Sequence, residues 1–158
     1  ILRVSWVFSS FGKNFVKTVI THSEKQSEMS IVGDQFGGPT SAFSIAKLII
    51  RLSPYMISNL CPKTMLENSF PWGIHHFQSF PHVNWFEFAE KINKLAFEKK
   101  IIKEKIILKK IRTSEYKSPA KRQSNSRLDC SSTESLLNIK MPLWEEDLNQ
   151  VLNEISST

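Results

Sequence analysis

The segment Val32-Gly33-Asp34-Gln35-Phe36-Gly37-Gly38-Pro39-Thr40 constrains this chain more than any other. Three of the five glycines in the 158 residues lie in it and Pro39 follows directly, so neither a helix nor a strand ladder can run through. It divides two stretches of different period. Met29 to Val32, before it, is a short strand candidate. After it, Ser41 to Leu52 sets Ala42, Ile45, Ala46, Ile49 and Ile50 along one helical face, and Pro54 is expected to end that helix.

The same alternation recurs along the chain. Ile1 to Phe8 is β-branched and aromatic and reads as one central strand covered on both faces. Ser9 to Lys13 breaks it, and Asn14 caps a helix carrying Phe15, Val16, Val19 and Ile20. Ile74 to Phe77 is a strand candidate. Asn84 and Glu87 form a capping box for a helix that continues through Phe88, Ile92 and Leu95 to about Glu98. Lys103 to Ile111 reads as a strand among lysines, and Ser118 to Leu128 as a polar loop. Ser131 is the expected cap of a short helix. Pro142 is expected in the first turn of the last helix, whose core face is Leu148, Val151, Leu152 and Ile155. Alternating strands and helices give an α/β class with a mostly parallel sheet. A strand beginning at Ile1 leads to the expectation that the chain starts in mid-domain.

Composition excludes several alternatives. With 41% apolar and 23% charged residues, the chain is not disordered over most of its length. No run approaches the ~18 apolar residues of a membrane-spanning helix, and no basic segment leads an apolar one, so a cytoplasmic protein is expected. Cys61 and Cys130 stand far apart with no partner at metal-ligand spacing.

Two absences matter for chemistry. A dinucleotide-binding domain needs a glycine-rich turn after its first strand, where backbone approaches pyrophosphate. Gly12, Gly33, Gly37, Gly38 and Gly73 do not have that spacing. The Tyr and Lys pair of short-chain dehydrogenases, four residues apart on a helix, is missing too: Tyr55 is followed by Asn59 and Tyr116 by Ala120.

Four segments, in order, resemble the C-terminal half of dTDP-4-dehydrorhamnose reductase, an extended short-chain dehydrogenase. They are Arg3 to Phe8 with Gly12-Lys13-Asn14-Phe15, the Val32 to Thr40 loop, Gly73 to Phe77 with Trp85 to Glu90, and Ser118 to Arg122 with Asn125 to Asp129. The resemblance implies the C-terminal part of an NAD(P)-binding Rossmann-like fold with a small α/β substrate-binding lobe. It assigns 1–28 and 72–98 to the Rossmann lobe and 29–71 and 99–158 mainly to the substrate lobe, the cofactor-binding half lying outside the sequence. The family reduces dTDP-4-dehydro-6-deoxy-L-mannose to dTDP-L-rhamnose with NADPH or NADH, for surface polysaccharide. The chain alone is expected to be inactive, lacking the Tyr and Lys pair. Two other readings stay open: a non-catalytic binding homologue like the methionine adenosyltransferase β subunit, and a decayed gene remnant.

By resemblance, Trp6 lines the sugar pocket, where the alternative is a core tryptophan on a buried strand. Gln35 and Thr40 offer hydrogen bonds to nucleotide or sugar, where the alternative is a loop that needs only its backbone shape. Either Arg122 or Arg127 grips diphosphate, since an arginine fork suits paired oxygens. Ser5 is the candidate cofactor contact. The chain departs from the family pattern at Val4, usually Thr, at Phe43-Ser44, usually Arg-Asp, and at Gln123, usually Pro.

Remaining features read plainly. His75 and His76 point to opposite faces of a strand and do not share a metal easily. Glu145-Glu146-Asp147 suits a helix N-terminus, although the resemblance brings in Mg2+ at a dimer contact and hence a homodimer. The run from Lys91 to Arg112 holds eight lysines and one arginine, and the net charge is +6 at pH 7. Interleaved Glu90, Glu98 and Glu104 make that run a solvated face rather than a nucleic-acid surface.

Overall fold

The structure is a computed structural model that describes residues 1–58, 70–117 and 122–157. Cys61 and the stretch 118–121 of the fourth resembling segment lie outside the described residues. The elements are β1 (Leu2–Arg3), β2 (Val7–Phe8), α1 (Phe15–Ser23), β3 (Glu28–Val32), β4 (Phe36–Gly37), β5 (Thr40–Ser41), α2 (Ala42–Ser58), β6 (His75–His76), β7 (Val83–Asn84), α3 (Trp85–Glu98), β8 (Ile107–Ile111), α4 (Ser131–Leu137) and α5 (Trp144–Ser156). A 3-10 turn covers Thr113–Glu115.

The class is mixed α/β, but the single mostly parallel sheet is replaced by separate two-stranded ladders. β1 pairs with β6, β2 with β5 and β3 with β8, all parallel, and β4 pairs antiparallel with β7. The expected strand from Ile1 to Phe8 is divided between two of them. Trp6 takes a left-handed backbone conformation, φ 48°, which turns the chain away from β6 and toward β5. Nor is this stretch covered on both faces, since Ile1 and Val7 are exposed.

Local capping is where sequence and structure agree best. The Asn14 side chain accepts the Lys17 N–H at the start of α1. Asn84 accepts the Glu87 N–H at 2.9 Å, and the Glu87 carboxylate accepts the Asn84 N–H at 3.0 Å, completing the box that opens α3. Four other boundaries move. Helix α2 continues through Pro54, because the Ser53 hydroxyl donates to the Ile50 carbonyl that the proline nitrogen leaves without its usual donor. The strand expected from Lys103 begins at Ile107: the N–H and C=O of Ile106 both bond to the Asn93 side chain. Ser131 is the first residue of α4 rather than its cap, and the Asp129 carboxylate accepts its N–H and O–H. Pro142 lies outside α5, whose cap is Leu143, because the Pro142 carbonyl accepts the Phe80 N–H.

Two apolar cores form. One gathers Phe8, Val16, Val19, Ile31, Phe88, Ile92 and Leu148 between α1, α3, α5 and the β3–β8 ladder. The other gathers Leu48, Leu52, Phe77, Leu137 and Met141 under α2, β6 and α4. Each fully buried Ile, Leu or Phe contributes about 1.5–3 kcal/mol. In the first core α1 and α3 pack on β3 and β8. Ser41 at the end of β5 and Ser44 in α2 tie this segment to α5, both hydroxyls donating to Asp147 Oδ2 at 2.7 Å. That link uses Ser44, one of the departures from the family pattern.

Candidate functional site

The first core presents an aromatic edge to solvent. Trp85, the first residue of α3, is aimed by the capping box, and Phe15, the first of α1, packs against it at 4.6 Å between centroids. The left-handed turn lays the Trp6 ring on Trp85, 3.6 Å apart and 13° from parallel. Gly37 leaves room for this, since a Cβ there would stand 2.5 Å from Trp6 Cε2. The loop Gly33 to Thr40 thus needs a glycine at 37 because an indole occupies the space.

Beside the stacked indoles opens a cleft of about 870 Å³. The outer turn of α1 (Thr18, His22), the strand β3 and the residues Trp6 and Trp85 form its walls, and Gln35, Tyr116, Arg122, Gln123 and Ser126 its far end. Gln35 is buried and its Nε2 donates to Thr113 Oγ1 at 3.1 Å, while its carbonyl oxygen takes no donor among the described residues. Asp34 anchors the same turn: its carboxylate accepts both the N–H and the O–H of Thr113, and those bonds hold its pKa below the usual carboxylate value. The loop carrying Arg122 is laced to β4, with the Phe36 N–H donating to Ser124 and the Phe36 carbonyl accepting from Ser126.

Three residues expected at a site, Trp6, Gln35 and Arg122, therefore line one cleft. The other three lie outside its lining. Thr40 has no exposed surface; its hydroxyl donates to the Gly38 carbonyl and accepts the Ser79 N–H. Ser5 Oγ accepts from Gln78 Nε2. Arg127 donates from Nε to Asn125 Oδ1 at 2.9 Å, and its guanidinium lies over the Phe36 ring. Trp85, Tyr116 and Ser126 line the cleft without having been singled out. For Trp85 the position directly after a helix cap gave no signal by itself, since Trp144 stands at the same place in α5 and is buried.

Among the described residues no three His, Cys, Asp or Glu side chains converge as a metal site requires. Glu145 pairs with Lys91 and Asp147 accepts from Ser41 and Ser44, so the acidic triplet gives the magnesium reading no support. His75 and His76 each bond a backbone carbonyl, of Pro71 and Asp129. Much of the lysine run is likewise engaged within the fold: Lys99 bonds Asn153, Lys109 pairs with Glu28, and Lys105 and Lys110 lie over Phe97 and Phe86. No described helix is long and apolar enough to cross a membrane.

The fold defines a class first. It superimposes on UDP-glucuronic acid 4-epimerase from Bacillus cereus with a TM-score of 0.63 at 11% identity, over 99% of this chain and 44% of that one, a likeness of fold alone. It superimposes on dTDP-4-dehydrorhamnose reductase from Bacillus anthracis, solved in complex with NADP, with a TM-score of 0.73 at 30% identity, over 97% of this chain and 47% of that one. This is half of a short-chain dehydrogenase-type α/β chain. Within that class the chain belongs to the RmlD substrate binding domain family, which matches residues 1–157. It is 32% identical over 151 residues to the dTDP-4-dehydrorhamnose reductase of Aggregatibacter actinomycetemcomitans, covering 96% of this chain and 49% of the relative. The chain spans about half the length of the curated relatives it matches.

The residues present do not fit a nicotinamide dinucleotide by themselves. None of the five glycines has the spacing of a phosphate-binding turn.

Proposed function

We propose that this chain is the substrate-binding half of a dTDP-4-dehydrorhamnose reductase and that its cleft takes a dTDP-linked deoxysugar. The observation that carries the reading is the convergence of Trp6, Gln35 and Arg122 on one cleft, three residues that the family resemblance singles out from distant parts of the sequence. Trp6, backed by Trp85, is a flat wall suited to the apolar face of a 6-deoxy sugar. Arg122 offers a fork for the diphosphate. Gln35, with its amide nitrogen held by Thr113, presents a fixed acceptor to a hydroxyl or base N–H. Ser5 and Thr40 act from behind, by shaping the turns that carry these groups, and Arg127 braces the loop of Arg122 against Phe36.

The proton donor and the cofactor turn are supplied by sequence of the kind found in the other half of the relatives, and in the complete enzyme hydride passes from NADPH or NADH. Calorimetric titration with dTDP tests the reading. Saturable binding by the 158-residue chain, weakened about tenfold or more by Arg122→Ala, is the expected result. No binding of dTDP overturns it.

A further inference from the structure

Gln78 follows β6 by two residues, has no exposed surface and does not line the cleft. Its side chain nevertheless meets three segments that border the cleft. Nε2 donates to Ser5 Oγ and to the Ser126 carbonyl, the latter at 2.9 Å, and Oε1 accepts the Leu128 N–H at 2.8 Å. Its Cγ occupies the space beside Gly38, where a Cβ would come within 2.5 Å. Ser5 immediately precedes the left-handed Trp6, Gly38 follows the glycine beneath the Trp6 ring, and Ser126 is itself part of the cleft wall.

We infer that Gln78 is the positioning residue that holds the Trp6 wall and the Arg122-to-Leu128 loop at a fixed separation. Both capacities of the amide are needed. The loop presents it with one carbonyl and one N–H, so a carboxylate, which only accepts, cannot satisfy both. The partners lie 73, 48 and 50 residues away in sequence, so no local element performs this registration. Removing the amide leaves the Leu128 N–H and the Ser126 carbonyl without these bonds in a partly buried setting, which favours displacement of the loop toward water. The consequence for ligand binding rests on the functional reading above.

Gln78→Met, close in shape and lacking all three hydrogen bonds, is the test. The variant is expected to unfold cooperatively, to lose about tenfold in dTDP affinity, and to change the effect of a second substitution. Arg122→Ala should cost less in the Gln78→Met background than in the parent, because an arginine already out of register contributes less. Tryptic cleavage after Arg127 reports on the loop without any ligand and should accelerate severalfold. Equal losses for Arg122→Ala in both backgrounds, or dTDP affinity unchanged by Gln78→Met, overturns the inference. If the parent chain binds no dTDP, the functional reading fails, and cleavage after Arg127 alone decides the positioning role: faster cleavage sustains it and an unchanged rate ends it. Should Gln78→Met fail to fold, Gln78→Asn, which withdraws the amide by one methylene, is judged by the same measurements.

Discussion

A tryptophan at φ 48° carries a backbone cost of about 1–2 kcal/mol relative to the extended or right-handed regions, and Trp6 accepts it because its surroundings leave no alternative. Its carbonyl takes the Thr40 N–H at 3.2 Å, its ring is stacked on Trp85, and Gly37 vacates the space beneath. Gly37→Ala should force the indole aside, lowering stability by about 1–3 kcal/mol and separating the two rings. Denaturant midpoints measure the first effect, and loss of the stacked-indole signature in fluorescence and circular dichroism measures the second. Asp34 makes a prediction of opposite kind. Its two bonds to Thr113 lower its pKa from 3.8, so the folded state binds that proton less readily than the unfolded chain. The contribution is present above the unfolded value and is lost as pH falls through the folded one. Asp34→Asn should therefore unfold at lower denaturant than the parent near neutrality, and the two midpoints should converge in strong acid. The site residues legible in the sequence, Trp6, Gln35 and Arg122, were legible through family resemblance. Gln78 gave no signal, because two of its three partners are backbone atoms brought near by tertiary packing.

At the level of elements, the features found in the sequence were those whose partners lie within one turn. The Asn84 and Glu87 box is complete within four residues, and it also aims Trp85 at the cleft. Asn84→Ala should cost about 1–2 kcal/mol, visible as a lower thermal midpoint, and should weaken dTDP binding by loosening Trp85. Boundaries set by distant partners were not legible. The β1–β2 break depends on two ladders with different partners, and the start of β8 on Asn93; Pro54 is the local exception, where the Ser53 hydroxyl bonds the Ile50 carbonyl within one turn. Helix α2 adds a further reading. Phe43, Ile50 and Ile57 repeat every seven residues on its outer side and are all exposed, while Leu48 and Leu52 face the core. Such a helix is apolar on two sides, as one between two packed layers would be.

For the whole molecule, the missing glycine turn and Tyr and Lys pair predict that the 158-residue chain, given dTDP-4-dehydro-6-deoxy-L-mannose and NADPH, produces no steady NADPH consumption. Absorbance of the reduced nicotinamide measures this directly, and sustained turnover would show that the chemistry proceeds without a Tyr and Lys pair, which the 158 residues do not contain. The α/β class was legible because alternating strand and helix patterns survive any error in pairing. The arrangement of ladders was not, since short strands of two residues carry almost no pattern of their own.

The β3–β8 ladder has one more consequence, in time rather than space. Glu28 pairs with Ile107, and the ladder runs on to Val32 with Ile111. At about 5–20 residues per second, a ribosome needs about 4–16 s after making β3 before its partner strand exists. Throughout that interval the first core lacks one wall, and β3 waits with an open edge inside a half-made protein. Nascent chains arrested before β8 should thus be cut readily by protease near β3, and chains arrested after α5 has emerged should resist.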